Sequence, residues 1–125
     1  MTIEQVRRPT RSAPDKRPII AVFNTHSGIK ERGVEHGLRE AWRISAVKAP
    51  RITTIIGLDH GVVVCVIIDC IAEQLHTGRF KFVSGDVYTS ADSDPTGLIG
   101  KRLKHCQGTR YAHDLAIVHG WEITV

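Results

Sequence analysis

Cysteine is scarce in this chain: there are three, an odd number that cannot pair completely into disulfides. No secretory leader occupies residues 1–17, and no apolar run approaches the ~20 residues that a membrane-spanning helix needs. Internal repeats and heptads are also missing. These absences exclude a disulfide framework, a solenoid and a coiled coil, and they lead us to expect reduced thiols, a cytoplasmic location and no membrane partner.

A complete set of metal ligands at zinc spacing is also missing from the sequence. Four residues separate Cys65 from Cys70, which is within the gap of roughly two to four residues that structural zinc sites use, but Cys106 has no such partner. The remaining candidates are His105, Cys106, His113, Asp114 and His119. In a strand, His113 and His119 would lie about 20 Å apart, which is too far for one ion. The sequence therefore predicts no catalytic residue, no metal and no cofactor; it leaves enzymatic activity undecided and favours a non-enzymatic role.

Length and composition describe one domain preceded by an arm. The chain has 125 residues, of which 42% are apolar and 24% charged. A chain of this length buries roughly two-thirds of its extended surface, so it needs neither a metal nor a disulfide to fold. Residues 1–18 combine prolines with an excess of basic side chains, which predicts a flexible cationic arm. Residues 19–125 form the predicted domain.

Two β-branched apolar runs of equal length, residues 52–58 and 62–68, flank the sequence Asp59-His60-Gly61. The runs predict one long β-hairpin. We expect a three-residue loop with a bulge, in which Gly61 supplies the left-handed conformation. Because both runs are rich in valine and isoleucine and neither contains a charged residue, both faces of this hairpin should be covered.

Other segments complete the secondary structure. Residues 19–23 are a short apolar run that predicts a strand, and residues 79–83 alternate so that Phe80 and Phe82 share one face. A helix capped by Ser27 follows the first strand and is firmest over residues 34–43.

The sequence is compatible with more than one secondary structure at the end of the chain and in one internal segment. Residues 115–118 and 121–125 predict two short strands or one bulged strand, and residues 71–76 fit a helical turn or a loop. The pattern as a whole indicates an α+β domain with one main helix near the N-terminus. Its sheet should be mostly antiparallel, and a barrel-like form is one shape that such a sheet can take.

Basic residues are concentrated in two places, although the net charge is only +4. The arm contributes Arg7, Arg8 and Arg11, and residues 100–110 contribute Lys101, Arg102, Lys104 and Arg110 without an acidic residue among them. The second group predicts a phosphate-binding loop, with Tyr111 placed to stack on a base. A solvated charged turn is the alternative interpretation of the same residues.

Four short segments carry a resemblance: Ala41-Trp-Arg-Ile-Ser45, Gly61-Val-Val-Val-Cys-Val66, Phe80-Lys-Phe-Val-Ser-Gly85 and Leu98-Ile-Gly-Lys-Arg102. Together they resemble small bacterial domains that look like the PUA-like barrels, including the ASCH and EVE groups. The resemblance implies an RNA, DNA or nucleotide ligand without supplying catalytic residues. It also adds Trp42 to the candidate binding residues.

The sequence therefore predicts a nucleic-acid or nucleotide-binding domain that uses the basic segment and the arm. One alternative is a protein-interaction or inhibitor module that forms a homodimer through the Val/Ile-rich hairpin. A less favoured alternative is a metal-dependent nuclease in which Asp86, Asp92 and Asp94 hold Mg²⁺. The same aspartates fit an ordinary turn, because Asp94 precedes a proline.

Overall fold

The computed structural model describes residues 17–26, 30–31 and 33–123. The arm residues Arg7, Arg8 and Arg11 and the helix cap expected at Ser27 lie outside the described residues. In the described part of the chain, no helix is long and apolar enough to cross a membrane.

A five-stranded sheet forms the centre of the fold. Its strands are β1 (Ile19–Asn24), β2 (Ile52–Asp59), β3 (Val62–Ile68), β6 (Asp86–Tyr88) and β7 (Arg110–Ala112). They lie in the order β6-β3-β2-β1-β7, with β1 and β2 parallel and every other pair antiparallel. The domain is therefore mixed α+β and mostly antiparallel, as predicted, but β6 and β7 remain the two edges and this sheet is not closed into a barrel.

Smaller elements cover this sheet. They are α1 (Val34–Arg39), a 3₁₀ turn (Ala49–Arg51), the antiparallel pair β4 (Ile71–Gln74) and β5 (Phe80–Val83), and α2 (Leu115–His119). As predicted, β5 buries Phe80 and Phe82 and leaves Lys81 partly exposed. The undecided residues 71–76 contain β4.

The core has two layers because β1 is buried on both faces. Ala21 and Phe23 pack on the face that also contacts α1 and β5. Ile20 and Val22 pack on the opposite face, against residues from the loop after β6 and from α2. A strand with both faces covered needs no polar alternation, which explains the continuous apolar sequence.

The β2–β3 hairpin forms, but its turn differs from the prediction. Asp59 still belongs to β2, so the loop contains only His60 and Gly61, at φ values of 52° and 84°. Two successive left-handed residues characterise a type I′ turn, whose twist matches that of the strands. The bulge lies instead within the paired part of the two strands, where the register shifts between Gly57 and Leu58. The predicted three-residue loop is therefore wrong.

Two further predictions are corrected at the helices. The helix α1 ends at Arg39 and not at residue 43, because Glu40 is extended and Trp42 pairs with Phe80 of β5. Residues 115–118 are helical and not a strand, because the Asp114 side chain accepts a hydrogen bond from the Ile117 N–H and caps the turn.

Candidate functional site

The carboxyl ends of β1 and β2 lie side by side because these two strands are parallel, with Asn24 opposite Leu58. Buried Thr25 joins the two strand ends. Its backbone N–H and its hydroxyl both donate to the Leu58 carbonyl, at 2.8 and 2.9 Å. His26 therefore emerges next to Asp59, although 33 residues separate them in sequence.

His26, Asp59 and His60 form a compact group that we call the His–Asp–His cluster. Asp59 Oδ1 lies 2.7 Å from His26 Nδ1 and 3.1 Å from His60 Nδ1. The centroids of the two imidazole rings are 4.1 Å apart. One carboxylate oxygen thus faces two imidazole nitrogens, and the side chains stay accessible, with 51% of His26 and 74% of His60 exposed.

Residues 100–104 form an extended segment held on both sides. Leu103 N–H donates to the Gly61 carbonyl at 2.9 Å, and Lys104 N–H donates to the Trp121 carbonyl at 2.8 Å. Leu103 is buried in the core. The first half of the predicted basic loop is therefore a fixed strand-like segment beside the hairpin turn, not a flexible loop.

A cavity of about 620 Å³ opens between this segment and the ends of β1 and β2. We call it the edge cavity. Its apolar lining comes from Leu58, Leu103 and Ile123, and its polar lining includes Arg102, His26, His60, His105 and Cys106. Among the described residues that line it, none is aspartate or glutamate. A ligand there would meet an apolar floor and a cationic, donor-rich wall.

Arg102 is the cation of the edge cavity. Its Nη1 donates to the His60 carbonyl at 3.0 Å, so the guanidinium is held against the hairpin turn. A carbonyl is uncharged and therefore positions the group without cancelling its charge. This contact distinguishes Arg102 from the neighbouring Lys101, whose Nζ lies 3.6 Å from a carboxylate oxygen of Glu122.

The other predicted binding residues do not line this cavity. Arg110 lies over the Trp121 ring, 4.8 Å from its centroid, and Lys104 is exposed. Tyr111 packs on the opposite face of the sheet, with Lys48 Nζ 4.3 Å from its ring centroid. The structure therefore divides the predicted basic surface and brings only Arg102 to the cavity.

Trp42 belongs to the core rather than to the edge cavity. Its ring stacks on Phe23 with centroids 4.3 Å apart and an interplanar angle of 17°. Its Nε1–H donates to the Leu38 carbonyl at 2.7 Å. Both the ring face and the indole donor are thus occupied by the protein itself, so packing explains this residue.

The acidic residues proposed for Mg²⁺ are not brought together. Asp94 is buried and its carboxylate accepts four hydrogen bonds within its own turn, while Asp86 and Asp92 are exposed. Within residues 17–26, 30–31 and 33–123, the one group of three side chains spaced to share an ion is the His–Asp–His cluster. Asp94 is therefore a turn residue whose carboxylate is occupied by hydrogen bonds from its own loop.

The hairpin proposed for self-association is mostly internal. β2 lies between β1 and β3, and β6 covers the far side of β3. Ile55 and Ile67 are buried on one face, and Ile56 and Val66 on the other. The apolar surface that suggested a homodimer is therefore used inside the domain, and the dimer remains a prediction.

Sequence reasoning missed the His–Asp–His cluster. It considered His105, His113 and His119, which are close in sequence, and named His60 only as part of the hairpin loop. His119 in fact lies 2.9 Å from the Thr96 carbonyl oxygen. The available signal was a histidine shortly after one apolar run and an Asp-His pair at the end of the next, which meet only if the two strands are parallel neighbours.

The three cysteines should differ in how fast their thiols react in the native protein. Burial raises the pKa of both Cys65 and Cys70 to about 11, so near pH 8 each of these thiols is ionised in roughly one molecule in a thousand. Cys106 is half-buried and lines the edge cavity. We expect iodoacetamide to add one group to the native protein, at Cys106, and three after unfolding, as measured by intact mass. Rapid modification of a second thiol in the native state would contradict this assignment.

Comparison of the chain with protein-family models, with curated proteins and with solved structures finds no significant match. The function proposed for this protein therefore depends on the contacts of the edge cavity and of the His–Asp–His cluster.

Proposed function

We propose that this protein binds a phosphate-bearing ligand, a nucleotide or a nucleic acid, in the edge cavity, with Arg102 as the main phosphate contact. The observation that carries the proposal is a guanidinium held by an uncharged carbonyl at a cavity whose described lining contains no carboxylate. An anion placed there gains a charge-assisted hydrogen bond without displacing an existing ion pair.

The cavity has the size and chemistry for part of a nucleotide. Its volume of about 620 Å³ is within the range of small-molecule pockets. Leu58, Leu103 and Ile123 offer an apolar floor for a base or a sugar, while the guanidinium and the imidazoles offer polar contacts. The position of the cavity also fits, because proteins with parallel strands commonly bind their ligands just beyond the carboxyl ends of those strands.

A longer nucleic acid would extend beyond the cavity. Lys104 follows Arg102 at a spacing of two in an extended segment, so it lies on the same side of the segment as Arg102. The arm joins β1 at the end opposite to His26, about 20 Å away by strand length. The six to ten residues that connect Arg11, Arg8 and Arg7 to residue 17 can span about 20–35 Å when extended. Arg7, Arg8 and Arg11 can therefore add phosphate contacts to the same ligand. The resemblance to PUA-like domains favours the same class of ligand.

Salt-dependent binding tests this proposal. Fluorescence anisotropy with labelled RNA and DNA single strands of about 12 nucleotides should show binding that weakens steeply from about 50 to 200 mM salt. Arg102→Ala should raise the Kd about tenfold and lower the slope of log Kd against log salt by about one. Removing residues 1–16 should lower the slope further.

Lys81→Ala is the matched control. Lys81 is also a cation, but it lies on β5 and contacts Glu73 at 3.3 Å, away from the edge cavity. Its replacement should change neither Kd nor slope. The proposal is wrong if neither oligonucleotides nor mononucleotides bind at low salt, or if Lys81→Ala weakens binding as much as Arg102→Ala.

A further inference from the structure

We infer that the His–Asp–His cluster is a binding site for one divalent transition-metal ion, with Zn²⁺ as the ion to test first. Its three side chains supply two imidazole nitrogens and one carboxylate oxygen, and their ligand atoms all lie within 4.8 Å of one another. This donor set is the one that open zinc sites and other two-histidine, one-carboxylate sites use. The inference is independent of nucleotide binding.

The spacing of the ligand atoms suits a small ion. In a tetrahedral zinc site, ligand atoms about 2.0 Å from the metal are about 3.3 Å from one another. The two nitrogen–oxygen separations of 2.7 and 3.1 Å are slightly shorter than this. Because at least half of each imidazole side chain is exposed, small torsional changes of the two histidines can open the group around an ion without any backbone movement.

The backbone presents the three ligands together before any ion arrives. Thr25 fixes the end of β1 to Leu58, immediately before Asp59, and the tight turn then fixes His60. Ligands that are already placed lose less conformational entropy on binding than ligands on a mobile loop. A preformed group of this kind is what distinguishes a metal site from scattered surface histidines.

His60 occupies a turn position that other residues usually fill. At φ 52° in a type I′ turn, asparagine, aspartate or glycine is the favoured residue, although histidine adopts the left-handed region more often than most other side chains. The imidazole also brings a second ring to within 4.1 Å of His26. Metal coordination gives a reason for a histidine in place of asparagine at this position and for its ring lying beside His26.

The open side of the site faces the edge cavity, because His26 and His60 line the cavity while Asp59 does not. Three protein ligands leave a coordination position for water or for an anion. Arg102 lies beside the same turn and can contact that anion. A bound ion would thus add a second positive centre to the cavity.

The experiment uses the untagged full chain, stripped of metal with a chelator. Zn²⁺ affinity is measured by competition with a chromophoric chelator, and Co²⁺ is added separately to record its visible absorption. We expect one equivalent of Zn²⁺ to bind and Co²⁺ to give d–d bands without a thiolate charge-transfer band. Asp59→Asn and His60→Asn should each weaken Zn²⁺ binding at least about tenfold.

His60→Asn keeps the experiment informative if other variants fold poorly. Asparagine is a preferred residue for this turn, so the variant should be at least as stable as the native chain in the absence of metal. His76→Asn is the matched control, because His76 is an exposed histidine in the β4–β5 turn. It should leave affinity and stoichiometry unchanged.

Three results would overturn the inference. The first is a native affinity no tighter than that of the Asp59→Asn/His60→Asn double variant. The second is an equal loss in His76→Asn. The third is a thiolate charge-transfer band that disappears with Cys106→Ala, which would move the ion to Cys106. Because no nucleic acid is present, these results are separate from the outcome of the oligonucleotide experiment.

Discussion

Replacing Trp42 with alanine should lower the free energy of unfolding by about 3 kcal/mol. The change removes a ring that stacks on Phe23 at 4.3 Å and leaves a cavity between α1 and β5. It also removes the indole donor that satisfies the Leu38 carbonyl, and an acceptor left without a partner adds to the loss. Urea denaturation followed by circular dichroism measures the change.

Trp42→Phe is the matched variant for this prediction. Phenylalanine keeps an aromatic ring against Phe23 but cannot donate to the Leu38 carbonyl, so it should cost about 1 kcal/mol. If Trp42 is instead one of the binding residues, as expected from the sequence, Trp42→Ala would weaken oligonucleotide binding while leaving stability unchanged. That combination would contradict the core assignment.

Asp94→Asn should destabilise the domain by about 2–3 kcal/mol. Asp94 is 9% exposed, and its two carboxylate oxygens accept four hydrogen bonds within 2.9 Å. The donors are the Thr96 hydroxyl and the backbone N–H groups of Thr96, Leu98 and Ile99. An asparagine amide would turn one acceptor into a donor facing other donors, so this turn could not hold Leu98 in the core.

The same contacts predict how stability changes with pH. Burial by itself would raise the pKa of Asp94, but the hydrogen bonds from Thr96, Ile99 and Leu98 together outweigh it and lower the pKa. Because the folded pKa lies below the unfolded value, the stabilisation is fully present above the unfolded pKa. It is lost as pH falls through the folded pKa.

Asp92→Asn provides the control for Asp94→Asn. Asp92 is exposed in the same loop, so its replacement should change the free energy of unfolding by less than about 0.5 kcal/mol. Asp94→Asn should also remove part of the acid dependence of stability, which Asp92→Asn should preserve. Equal effects of the two variants would show that the hydrogen bonds of Asp94 contribute little.

Several elements could be predicted because local chemistry decides them. The alternation of Phe80, Lys81 and Phe82 matches the two-residue period of a strand. The two long runs of β2 and β3 form strands because their β-branched side chains pack well on a pleated sheet. The α2 segment was mistaken for a strand because its apolar run is too short to show a period, and the capping contact from Asp114 decided its conformation.

The candidate site could be predicted only in part. Arg102 was identified from charge alone, and it does line the edge cavity. The same reasoning grouped it with Lys101 and Arg110, whose contacts with Glu122 and Trp121 depend on how the end of the chain packs. The sequence shows which residues are charged, whereas only the folded structure shows which group each charged side chain contacts.

By itself, the sequence determined the strands β1, β2, β3 and β5 and which residues carry charge. It also indicated that neither disulfides nor a membrane helix was to be expected. Only the tertiary structure decided that β1 and β2 run parallel, and so that His26 meets Asp59 and His60. The physical reason is that strand formation depends on neighbouring residues, while strand pairing depends on burying both faces of β1 at once. The local sequence of a strand does not indicate which distant strand will pair with it.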